Sequence, residues 1–142
     1  MGDIIYSKEK RKNMKQLFIL MSHQITAVQK MDAQVHFGVE VFHTISSKWW
    51  GQIPASDSSV CPYVTDIKKQ LIAKAQQGDY LLVQGDFGAT VHMVHFAKKL
   101  GIVPIYATTE RVAREHVEDE KITTVREFTH VRFREYELDC SI

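Results

Sequence analysis

Three helix-forming stretches in this chain each end on a glycine that stands just ahead of an apolar run. The glycines are Gly38, Gly78 and Gly101, and the runs cover residues 39–45, 80–84 and 102–106. Glycine accepts the left-handed backbone that closes a helix, so it marks where a helix stops. A fourth run, Leu17-Phe18-Ile19-Leu20-Met21, opens the series and is apolar without interruption, as in a strand covered on both faces. Between the runs, Thr26 and Gln29 have the spacing of a capping box. Val64, Ile67, Leu71 and Ala75 form one helical face, and Ala89, Met93, Phe96 and Leu100 another. Four strands thus alternate with three helices. This predicts an α/β fold with a mostly parallel sheet, helices on its flanks and right-handed crossovers.

Residues 46–62 are rich in Ser, Gly and Pro and hold both tryptophans, Trp49 and Trp50. They read as a long loop, with one tryptophan in the core and the other exposed, and as a candidate lid. The last third breaks the alternation. Residues 111–117, 122–128 and 130–136 are β-rich, with Glu118-Asp119-Glu120-Lys121 as a turn. A C-terminal hairpin plus a further edge strand is the expectation. Residues 1–15 read as a flexible leader and 16–142 as a single domain, in keeping with a length of 142 residues.

Composition narrows the class. A hydrophobic fraction of 44% with 25% charged residues is that of a globular domain. The net charge of +1 lacks the basic field of a general DNA binder. No run is long enough to span a bilayer and none resembles a secretory signal. Cys61 and Cys140 match no metal spacing. A cytoplasmic protein with reduced thiols is the expectation.

The segment Tyr80-Leu81-Leu82-Val83-Gln84-Gly85-Asp86-Phe87-Gly88-Ala89-Thr90 is a strand, a glycine turn and a helix start in succession. Unpaired N–H groups at a helix start favour an anion. In an open α/β sheet that turn lies at the carboxyl ends of the strands, where ligands bind. Three segments should converge there: Ser22-His23, Gln84 to Ala89, and Ala107-Thr108-Thr109. Gly85 and Gly88 alone make neither a dinucleotide fingerprint nor a P-loop. Asp86 can cap a helix, orient a ribose hydroxyl or act as a base, and capping is its commonest role there. His23 is placed for general acid–base work. Alternation puts His130, Arg132, Arg134 and Tyr136 on one strand face and Val131 and Phe133 on the other. The basic row suits nucleotide phosphates, and it equally suits a solvated edge guarded by arginine. His92 and His95 have ligand spacing but no partner nearby in sequence, so no metal or other cofactor is expected.

Four motifs occur in order: Leu17 to His23; Gly78-Asp79-Tyr80 leading into Gln84 to Thr90; Pro104 to Thr109 with Arg111; and His130-Val131-Arg132-Phe133-Arg134. With them the chain resembles the CRISPR-associated ring nucleases, small Rossmann-like (CARF-like) proteins of type III CRISPR systems. The resemblance spans about residues 14–136. It implies cleavage of a cyclic oligoadenylate, first of all cyclic tetra-adenylate, without a metal and by a homodimer. The ligand's own 2′-hydroxyl would attack the adjacent phosphodiester, leaving linear di-adenylate with a 2′,3′-cyclic phosphate. His23 and Asp86 would then be catalytic. Ser22, Gln84, Gly85, Phe87, Gly88, Ala89, Thr108, Thr109, Arg111, Arg132 and Arg134 would hold the ligand. Two other readings stay open: a binding protein that sequesters the messenger intact, and an unrelated nucleotide- or phosphate-binding enzyme.

Overall fold

A computed structural model describes residues 14–141, so the leader expected over residues 1–15 lies almost wholly outside the described residues. Five strands form one sheet in the order β2-β1-β3-β4-β5. They are β1 (Lys15–Leu20), β2 (Val39–Thr44), β3 (Tyr80–Val83), β4 (Val103–Glu118) and β5 (Lys121–Glu135). Strands β1 to β4 run parallel, and β5 returns antiparallel to β4. The parallel part is the doubly wound order expected of a Rossmann-like α/β fold, and it reverses direction between β1 and β3.

Three helices make the crossovers: α1 (Ala27–Phe37), α2 (Cys61–Lys74) and α3 (Phe87–Leu100). The Thr26 capping box forms, with both reciprocal hydrogen bonds, and Gly38 closes α1 at φ +67°. Gly101 closes α3 at φ +77°. Gly78 does not close α2, which ends at Ala75 in extended conformation. It turns the chain three residues later at φ +89°. Helix α2 also starts at Cys61, inside the stretch read as loop, because Pro62 fits the first helical turn.

The apolar run of β1 supplies both cores. Phe18 and Leu20 join Leu81, Val83 and the inner faces of α2 and α3. Leu17 and Ile19 join Leu82, Ile105, Phe133 and Ala33 of α1 on the other side. A single helix therefore covers that second side. Among the described residues no helix is long and apolar enough to cross a membrane.

The C-terminal third corrects the sequence reading. Strand β4 does not stop at Tyr106 but runs through Ala107, Thr108 and Thr109 to Glu118, so no loop forms there. One long strand, β5, replaces two expected ones. Asp119 and Glu120 make the two-residue turn, both with positive φ. The register slips between Thr108 and Thr109, leaving Val131 as a bulge. The bulge breaks the alternation, so His130 leaves the row of Arg134 and Tyr136. Its ring packs on Phe133 at 4.8 Å instead.

Candidate functional site

The point where strand order reverses is the gap between the carboxyl ends of β1 and β3. A cavity of about 310 Å³ opens there, lined by Ser22, Trp50, Gly51, Gln52, Ile53, Gly85 and Asp86. A second of about 380 Å³ shares Ser22, Trp50, Gly51 and Gln52 with it and extends to Lys48 and Met21. The structure thus brings Ser22, Gly85 and Asp86 together as expected. It adds Trp50, Gly51 and Gln52 from the irregular loop, whose side of the sheet no local pattern specifies.

Trp50 organises this edge. It is buried, whereas Trp49 is partly exposed. The Trp50 indole N–H donates to the Gln84 carbonyl at 2.9 Å. A Cβ on Gly85 would meet that indole nitrogen at 2.7 Å, so the glycine makes room for Trp50 rather than for a ligand. Gly88 has only ordinary contacts at a Cβ position and no positive φ.

Asp86 is the N-cap of α3, its carboxylate accepting from the Ala89 N–H at 3.0 Å. That bond uses one of the helix's free donors and leaves the Phe87 and Gly88 N–H groups without acceptors among the described residues. Phe87 itself is 93% exposed. His23 is exposed one residue past Ser22 and has no hydrogen bond to the described residues. Ala89 is buried. The Gln84 side-chain carbonyl accepts from the Ala107 N–H at 2.8 Å and ties β3 to β4 where the ladder between them ends.

The remaining expected ligand residues lie elsewhere. The Thr108 hydroxyl donates to the Arg132 carbonyl at 3.0 Å and fills the bulge. Thr109 pairs with His130, and the Arg111 guanidinium sits 5.0 Å above the Phe128 ring. Arg132 donates to the Phe133 carbonyl, and Arg134 to the Tyr106 hydroxyl at 3.1 Å. None of these five lines either edge cavity.

Sequence reasoning missed a second cluster. Asp32 of α1 accepts from His36 at 2.5 Å and from His130 at 2.7 Å. Burial pushes the Asp32 carboxyl up, but hydrogen bonds and charge from His130 and His36 outweigh it, and the net shift is downward. His130 Nδ1 is buried with no hydrogen-bond partner among the described residues. The cluster borders a cavity of about 500 Å³ lined by Asp32, His36, Phe37, Val131, Arg132 and Phe133. Only the bulge turns His130 toward α1, and a bulge has no signature in Thr108-Thr109. A further cavity of about 370 Å³, with Gln16, His43 and Lys74 in its wall, lies at the opposite, amino end of the strands. Among the described residues no three His, Cys, Asp or Glu side chains are grouped to hold a metal ion.

Two comparisons bear on this geometry. A family model described as "Uncharacterized protein MJ1673 family" matches residues 15–134. A Methanocaldococcus jannaschii protein, "Uncharacterized protein MJ1673", is 40% identical over 126 residues, covering 87% of this chain and 98% of its own. No solved structure matches.

Proposed function

This chain belongs to the MJ1673 family, and we propose that its carboxyl edge binds and cleaves a cyclic oligoadenylate. One observation carries the reading. Ser22, Gly85 and Asp86 share an open cavity at the strand reversal, beside the exposed Phe87 and the two unpartnered N–H groups of α3. Phosphate suits the N–H groups, and an adenine suits the Phe87 ring. The sequence resemblance to ring nucleases supplies the substrate class.

In this proposal the ligand's ribose 2′-hydroxyl loses its proton to His23 and attacks the adjacent phosphorus. The P–O5′ bond breaks, the 5′ oxygen takes up a proton from water, and His23 gives its proton back to solvent. A 2′,3′-cyclic phosphate remains on the linear product. The protein contributes mainly position, which is worth about 7–11 kcal/mol in favourable cases. The N–H groups of Phe87 and Gly88 balance charge as it develops on the phosphoryl oxygens. A cytoplasmic setting accords with the two free thiols.

The test is incubation with cyclic tetra-adenylate in excess EDTA, followed by denaturation and chromatography. Linear di-adenylate formed over many turnovers is the expected result. No cleavage of this or any other ring size would overturn the enzymatic reading. A second reading, sequestration without cleavage, is favoured by a specific observation. Asp86 is committed to the Ala89 N–H and His23 has no orienting partner, so the edge holds no prepared acid–base pair. Ligand recovered intact from the bound protein would select that reading.

A further inference from the structure

Past the sheet body, β4 and β5 continue as a two-stranded arm. Ten residue pairs run from Thr109↔His130 to Glu118↔Lys121. Every residue from 109 to 129 except Val112 is exposed. At about 3.4 Å per residue the arm is some 30 Å long. A body of roughly 100 residues has a radius of gyration of about 13 Å, so the arm is as long as the body is wide. A lone two-stranded ribbon is marginal in water.

This arm also displays apolar side chains. Val117, Ile122 and Phe128 are 66–72% exposed. They stand in one row, since Val117 opposes Ile122 and Arg111 opposes Phe128, with Glu115, Thr124, Ala113 and Arg126 between the two pairs on that face. His130 continues the row at the arm's root, where its side chain reaches Asp32 of α1. The row therefore opens on the side of the sheet that a single helix covers. That helix carries an uncovered stripe of its own. Val28, Met31 and Val35, spaced by three and four, are 62–71% exposed. Apart from the Arg111 guanidinium over the Phe128 ring, no described residue covers either stripe.

We propose that the two stripes cover each other between two copies of the chain, the arm of each copy lying along α1 of its partner in a two-fold pair. The area argues for this occupant. With half-exposed Val131, seven large apolar side chains per copy, at on the order of 100 Å² each, approach the ~800 Å² per partner of a standard interface. A two-fold arrangement uses each surface twice and leaves no apolar end open to further growth. This inference is independent of what the carboxyl edge binds.

The experiment uses the full chain. One variant carries Ile122→Ser and Phe128→Ser, the other Met31→Ser and Val35→Ser; all four sites are exposed, and circular dichroism checks that both fold. Native mass spectrometry and sedimentation are expected to give twice the chain mass for the unaltered protein. Each variant alone should weaken the pair at least tenfold. Mixing the two variants should restore hetero-pairs, because one intact arm then meets one intact helix. In a Cys61→Ser, Cys140→Ser background, mixed Met31→Cys and Phe128→Cys chains should cross-link to each other. A monomer up to the solubility limit overturns the proposal. So does a pair that both variants leave intact, or one that mixing fails to restore. Hydrogen-exchange protection of the arm in a monomer, lost on deleting residues 1–13, also overturns it by making the chain's own start the cover.

Discussion

Asp86 and Gly85 show how one residue's apparent chemistry can be claimed by packing. Asp86→Ala should cost about 1 kcal/mol in urea unfolding, the usual value of a lost helix cap, whereas Asp86→Asn should keep the cap. If Asn also keeps cleavage, the carboxylate is no proton carrier. His23→Ala should lower turnover by about 10²–10⁴ with ligand affinity retained, the range of a lost general acid or base. Gly85→Ala drives a methyl into the Trp50 indole and should cost about 1–3 kcal/mol, with a shift in tryptophan emission. Asp32 makes a pH-dependent contribution. Its folded pKa lies below that of an ordinary aspartate, so its stabilising effect is complete above the ordinary value and fades as pH falls through the folded pKa. The stability gap between the native chain and Asp32→Asn should therefore shrink below about pH 4 in acid titration of unfolding. Asp79 is more deeply placed. It is buried and accepts from the Gln16 and Gln76 backbone N–H groups and the Gln16 amide. Asp79→Ala should cost about 3 kcal/mol by stranding those donors.

At the scale of elements, legibility followed the presence of an apolar period. The capping box at Thr26 and the glycines after α1 and α3 were readable because each meets a local steric demand. The end of β4 was misread for the complementary reason. From Thr109 outward both faces of β4 and β5 meet water, so no apolar alternation marks the strand. The β-branched pair Thr108-Thr109 lies past the strand expected over residues 102–106, although such residues favour strands. The arm's turn places Asp119 and Glu120 at positive φ, a conformation costing ordinary residues about 1–2 kcal/mol. Glu120→Gly should relieve part of that, and slower amide exchange along residues 112–127 would register it. Helix α2 starts earlier than its apolar face because Cys61 and Pro62 form a first turn that faces no core.

At the scale of the whole molecule, the two faces of the sheet are unequal. Helices α2 and α3 cover one, and α1 alone covers the other beside the root of the arm. That asymmetry follows from strand order, since one crossover runs toward β2 and two run toward β4. It leaves the cavity edge at the reversal between β1 and β3, and it leaves α1 with an outer stripe that no described residue covers. If ligand binding and arm exchange are independent, the Ile122→Ser, Phe128→Ser variant should bind cyclic tetra-adenylate with unchanged affinity per chain. A fall in affinity would mean that the site draws on both copies. Alternation of strand and helix and the glycine turn after β3 were determined by sequence alone, because each rests on a local apolar period or steric demand, and the parallel sheet follows from that alternation. The Trp50 wall of the site, the Asp32–His130 bond across 98 positions and the uncovered arm were decided only by the tertiary structure. They depend on which distant residues meet across the sheet and on a one-residue bulge that reverses a face, and no local period encodes either.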